Sequence, residues 1–140
     1  PEEEIVYPDG FPDNSTEFLN NHSLTLKFTY GESSALFCGD LYLPQERDYV
    51  EQYGEKLHSD LVKANHHGKD TSNSKKWIKA TSPQVVVAMN DKAPNMTVCE
   101  NYKKAGAEYH HTFYDGVVKV RMDDKKNLEV LDQKDSFLNE

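Results

Sequence analysis

The longest unbroken apolar run in the chain is Val85 to Met89, five residues. A membrane-spanning helix needs about 20, so this run has the length of a strand. Its continuity, rather than alternation, predicts a central strand covered on both faces. The rest of the chain has to supply neighbours and covers for it. Leu24, Leu26, Phe28 and Tyr30 alternate with polar residues, the period of a strand with one buried face, and Gly31 to Ser34 turns the chain into a second short apolar strand, Ala35 to Cys38. Pro44 suits a first helical turn, and Tyr49, Val50, Tyr53 and Leu57 recur at helical spacing, predicting a helix over 44–58. Residues 60–65 read as a strand, and Ser72 or Asn73 as the cap of a helix that turns Trp77 and Ile78 inward. After Val85 to Met89 come a helix over 97–105, closed by Gly106, and strands over 108–113, 117–122 and 128–131. The expected fold is α/β, a mixed sheet with helices on one face. Residues 1–20, rich in Glu, Pro, Asp and Asn without periodicity, are expected to form an irregular lead-in or loop.

Charge narrows the function classes. The chain of 140 residues carries a net charge of −8, which argues against a generally basic nucleic-acid binder. Residues 1–60 hold three basic and 13 acidic side chains, residues 61–110 eight and four. The locally basic middle either faces an anionic substrate or is the solvated face of a Lys-rich helix. The two cysteines, Cys38 and Cys99, make neither a metal-type pair nor a disulfide framework and read as small buried hydrophobes.

Two short features carry chemistry. Gly39-Asp40 places a carboxylate directly after a short buried strand, and His66-His67-Gly68 places imidazoles after another. Adjacent sheet strands can deliver both to one edge, where carboxylate and imidazole suit a hard-to-borderline metal ion. In an extended segment neighbouring side chains point to opposite sides, so one histidine would bind metal while the other faces substrate or packs. The competing pair His110-His111 lies within a strand and reads as structural, one ring packed and one solvated; His58, at a helix end, also reads as structural.

The order Asn21-x-Ser23, strand, Leu36-Phe37-Cys38-Gly39-Asp40, helix, strand, His66-His67-Gly68 resembles the metallo-β-lactamase fold. Within it, the metallo-hydrolase domain of bacterial competence proteins, which serve DNA uptake, is the branch resembled. Ser82 to Val87 and Thr112 to Val117 resemble that branch's later strand and closing hairpin. The resemblance covers roughly residues 20–122 and makes 21–140 the C-terminal half of such a domain. It implies that Asp40 bridges two divalent metal ions, zinc or manganese, that His67 is a metal ligand, and that His66 is a catalytic neighbour of the scissile phosphate. His22 stands as a candidate further ligand. In such sites, paired cations activate a water and clamp the oxygens of the displaced ester.

The family's first motif, His-x-His-x-Asp-His, occurs nowhere in the 140 residues. With that absence and a start at Pro1, the expectation is a fragment of a phosphodiesterase or nuclease, metal-free or weakly binding and inactive alone. Its expected partner is the missing N-terminal half or a second copy docked on the exposed sheet. A phosphoester or nucleic acid is the expected substrate of the parent, and no membrane segment is visible. The alternative is a non-catalytic binding or assembly domain that keeps the fold without the metal centre.

Overall fold

A computed structural model describes residues 16–132. A short helix α1 (Thr16–Asn21) leads into the antiparallel pair β1 (Leu26–Tyr30) and β2 (Ser33–Phe37). Then come α2 (Leu43–Tyr53), β3 (Leu61–Lys63), α3 (Lys75–Thr81), β4 (Val85–Ala88), α4 (Met96–Lys104), β5 (Glu108–His111) and the single turn α5 (Thr112–Asp115). The chain closes with the hairpin β6 (Val118–Met122) and β7 (Leu128–Asp132). Strands β1 to β5 form one sheet in sequence order, antiparallel at β1·β2 and parallel thereafter, so the fold is the mixed α/β arrangement expected.

The two sheet faces are chemically different. Leu36, Val62, Val86 and Tyr109 stand in register on one face. There they meet Trp77 and Ile78 of α3, Val98 and Tyr102 of α4, and Tyr49 and Val50 of α2 in a single core. Helices α2, α3 and α4 therefore share that face. The opposite face carries Ala35, Leu61 and Val85 in register. The tip of the β6–β7 hairpin is tied to its lower end, where Lys126 N–H donates to Ser33 Oγ (2.7 Å) and Gln84 Nε2 donates to Lys126 O (3.1 Å). Beyond the hairpin, Leu26, Phe28 and Tyr30 of β1 are 42–61% exposed on this same face, with Phe37 beside them.

Several expectations shift. Residues 16–21 form a helix where an irregular lead-in was expected, held by Ser23 and His22 N–H groups that close its last turn; residues 1–15 lie outside the described range. The helix expected over 44–58 stops at Tyr53, because Gly54 takes φ 48° and a 3₁₀ turn finishes the segment. The cap of α3 is Ser74, whose Oγ accepts from Trp77 N–H (3.1 Å). Ser72 and Asn73 are unavailable for capping because their side chains bind Leu41, Asn65 and Tyr102 elsewhere. The strand before the histidines ends at Lys63 rather than Asn65. The strand expected over 108–113 ends at His111, where the His111 side chain caps α5.

Candidate metal centre at the strand ends

Parallel pairing of β2 with β3 brings the segments that follow them to the same sheet edge. After β2, Gly39 adopts φ 59°, and a Cβ there would lie 2.7 Å from Ser23 Cβ, so only glycine fits. Ser23 Oγ then accepts from Asp40 N–H (3.2 Å), and Asn21 Oδ1 accepts from Tyr42 N–H (3.1 Å). The segment before β1 thus clasps the backbone on both sides of Leu41. After β3, His66 N–H donates to Gly39 O (3.1 Å), lacing the two ends together.

His66 and His67 are not extended, as expected, but both left-handed, at φ 45° and φ 57°. For non-glycine residues this conformation is strained and persists only where surroundings over-determine it. Glu46 supplies that constraint from α2. Fully buried, it accepts from Asn65 Nδ2 (2.9 Å) and Asn73 N–H (2.5 Å) through Oε1, and from Ser74 N–H (2.9 Å) through Oε2. Asn73 completes the brace: its Oδ1 accepts from Asn65 N–H (3.0 Å) and Tyr102 Oη (2.9 Å), and its Nδ2 donates to the carbonyls of Asn65 and Lys69 (2.9 Å each).

The resulting geometry brings Asp40 and His67 together. His67 Nδ1 lies 2.7 Å from Met89 O. A carbonyl only accepts, so Nδ1 carries the proton, and Nε2 faces Asp40 Oδ2 at 3.3 Å. Two lone pairs so placed call for a cation or a proton between them. A carbonyl holding the far nitrogen is also how metal-binding imidazoles are commonly oriented. Asp40 Oδ1 lies 3.9 Å from Lys63 Nζ, which also donates to Gly39 O (3.1 Å) and Ala64 O (3.2 Å). Burial pushes the Lys63 ammonium below its ordinary pKa, and the Asp40 carboxylate opposes that shift.

His66 is buried, its ring 4.8 Å from that of Tyr42. Its Nδ1 meets Thr71 Oγ1 (2.9 Å) and its Nε2 meets Lys69 Nζ (3.3 Å). Burial first, and the Lys69 charge second, lower its pKa below the ordinary histidine value. His22 lies in a different cleft, with Leu24, Thr25, Tyr49 and Tyr53. His111 is buried, with Nδ1 accepting from Phe113 N–H (3.2 Å). Its neighbour His110 is hydrogen-bonded rather than solvated, its Nε2 2.7 Å from Glu108 Oε1, with Nδ1 3.6 Å from Asp115 Oδ2.

The donor types at Asp40 and His67 fit a divalent metal ion, but their number falls short. A structural zinc site takes four ligands and a catalytic one three plus water, whereas no group of three or more His, Cys, Asp or Glu converges among the described residues. Sequence reading missed Glu46 and Asn65 as residues that hold the histidine loop in place, and gave Asn73 a capping role instead. One signal was present: stepping the α2 apolar stripe back four residues from Val50 lands on Glu46, a charge on a buried face.

No protein-family model matches the chain. It is 28% identical over 106 residues to the uncharacterized protein YcaI of Escherichia coli, covering 72% of this chain and 14% of that protein. It is 36% identical over 69 residues to the competence protein ComA of Neisseria gonorrhoeae, covering 49% of this chain and 10% of that protein. The chain thus spans about a tenth to a seventh of the length of the curated relatives it matches. It is similar to a competence protein over half its own length. No helix among the described residues is long and apolar enough to cross a membrane.

Proposed function

We propose that this chain is the second half of a metallo-β-lactamase-type hydrolase domain, as in competence proteins, and that the complete protein cleaves phosphodiesters with divalent metal ions. The observation that carries this reading is the convergence of Asp40 Oδ2 and His67 Nε2 at 3.3 Å, with His67 oriented by Met89 O. The similarity to the gonococcal competence protein supports it. Asp40 and His67 would contribute two ligands, with the remaining donors supplied from outside the described residues. The chemistry that divalent cations bring to such a site is activation of a water and neutralisation of phosphoryl charge. The chain's own part is to hold the carboxylate and imidazole rigidly, on strand ends braced by Ser23, Asn21 and Glu46. The two donors among the described residues are too few to hold a metal ion tightly; the expected outcome is that zinc or manganese binds this chain weakly and the chain alone is inactive, and submicromolar affinity in isothermal titration would contradict that.

In the full-length protein, Asp40→Ala and His67→Ala each abolish hydrolysis of bis(4-nitrophenyl) phosphate with manganese or zinc. Retention of full activity by Asp40→Ala ends the proposal. The exposed Leu26, Phe28 and Tyr30 favour a covering partner, the first half of the same domain. Supplying that half in trans gives a 1:1 complex in light scattering; a chain that stays monomeric in its presence argues against the pairing.

A second reading, a non-catalytic module, is favoured by one contact: Lys63 already sits 3.9 Å from Asp40 and offers its carboxylate a cation without any metal. A full-length protein with no phosphodiesterase activity under either metal, and no change in stability on adding one, would establish that reading instead.

A further inference from the structure

The carbonyl that orients His67 is itself held from the far edge of the sheet. Strands β4 and β5 pair in parallel as far as Ala88 and His111. One residue later the chain after β5 turns into α5, and the Thr112 carbonyl is taken up by Gly116 N–H (3.0 Å) inside that turn. The Thr112 side chain continues the pairing instead. Its Oγ1 accepts from Asn90 N–H (3.0 Å) and donates to Asn90 O (3.0 Å), so one hydroxyl satisfies both backbone groups of Asn90.

Asn90 N–H and Met89 C=O belong to the same peptide unit. A trans peptide is planar, with its N–H and C=O directed to opposite sides, so fixing one end aims the other. With Thr112 Oγ1 on the N–H, the Met89 oxygen is directed at His67 Nδ1, 2.7 Å away. Asn90 adds a second tie, its Nδ2 donating to His67 O (3.5 Å) while its Oδ1 accepts from Lys92 N–H (3.1 Å). Thr112 is rigidly presented in turn. His111 Nδ1 accepts from Phe113 N–H (3.2 Å) and Asp115 Oδ2 accepts from His111 N–H (2.9 Å), closing the turn from both ends. The β-branched threonine side chain is also stiff at χ1, which holds the hydroxyl in place.

We infer that Thr112 is a positioning residue for His67: its hydroxyl fixes the Met89–Asn90 peptide, which keeps the proton on Nδ1 and leaves the Nε2 lone pair facing Asp40. The inference rests on the hydrolase reading only for its effect on turnover. Which ring nitrogen of a histidine is free to bind metal is set by the bond the other one makes, and here that bond is set by a side chain that touches neither Asp40 nor the ring. A threonine that merely tied down α5 would affect stability and leave the imidazole as it was.

The test reads the ring directly, in the metal-free 140-residue chain labelled with ¹⁵N-histidine, with His67 assigned by the signals that His67→Gln removes. In long-range ¹H–¹⁵N spectra at pH 8, wild-type Nδ1 has the shift of a protonated nitrogen. In Thr112→Val, which keeps the shape and loses the hydroxyl, that shift moves toward the value of a bare nitrogen, and Thr112→Ser restores it. Should Thr112→Val fail to fold, Thr112→Ala, which removes the hydroxyl without setting a methyl against Asn90, gives the same reading. Val86→Ala weakens the same strand from within the core and leaves the His67 shifts unchanged. A bare Nδ1 in the wild type, or unchanged His67 shifts in the hydroxyl-free variant, overturns the inference. In the full-length protein, kcat for bis(4-nitrophenyl) phosphate falls about tenfold in Thr112→Val with KM unchanged, and Thr112→Ser recovers it. An undiminished kcat there, with Asp40→Ala inactive, overturns it as well. Activity retained by Asp40→Ala is instead the failure of the hydrolase reading, and the ring measurement then decides the role of Thr112 by itself.

Discussion

Replacing Glu46 by Gln probes whether a buried carboxylate on α2 holds the histidine loop. Gln fills the same space, so no cavity opens for water. Its amide oxygen can keep the two bonds that Oε1 now accepts, from Asn65 Nδ2 and Asn73 N–H. Its NH₂ must then face Ser74 N–H, a donor against a donor where Oε2 accepted at 2.9 Å. A buried donor left unpaired costs about 1–3 kcal/mol, and each retained bond loses charge assistance worth about 1 kcal/mol. The sum is a loss of about 3–5 kcal/mol. With a urea dependence of about 1–3 kcal/mol per molar, the unfolding midpoint falls by about 1–5 M. Hydrogen exchange localises the effect: the Asn73 and Ser74 amides lose protection by more than the global drop accounts for, while Val86, in the central strand, follows the global drop. A midpoint shift under about 0.3 M, with unchanged protection at Asn73 and Ser74, would refute the claim that Glu46 braces the loop.

Gly39→Ala forces a Cβ to 2.7 Å from Ser23 Cβ at a left-handed backbone position; a loss of about 2–4 kcal/mol in denaturant unfolding is expected, with any hydrolysis by the full-length protein falling too because Asp40 is displaced. Stability also falls on acidification below about pH 6.5. Burial lowers the folded-state pKa values of His66 and His111, so the unfolded chain takes up protons first, and stability present above the unfolded value is lost as pH falls toward the folded ones. His111→Gln removes part of that slope between pH 7 and 5 in thermal melts; an identical slope would dismiss the His111 contribution.

The architecture was legible because periodicity reports which faces are buried. The alternation at Leu24 to Tyr30 and the continuous run at Val85 to Met89 gave β1 and β4 their places. The alternation misled in one respect: Leu26, Phe28 and Tyr30 have the pattern of a buried face yet lie exposed, because a pattern announces what a strand could bury without naming its cover. At the site, the pairing of Asp40 with His67 followed from two strands ending at one edge. The left-handed turn at His66-His67 did not, because the local preference of histidine for that conformation is weak; long-range bonds from Glu46 and Asn73 impose it. Ser74 was passed over as a cap for a similar reason, since three candidate side chains stand in a row and tertiary bonds chose among them.

The two consecutive histidines in left-handed backbone have a consequence for drift. Each costs the folded chain about 1–2 kcal/mol relative to glycine at the same place. A lineage released from any need for an imidazole there could gain stability by one mutation, to Gly or Asn, at either position. His67 in particular is 43% exposed, its ring nitrogens meeting Met89 O and Asp40. Selection for folding alone would therefore tend to erase it. Under the proposed hydrolase reading, a copy of this domain without that chemistry should be recognisable by glycine or asparagine at position 66 or 67 in an otherwise intact sheet.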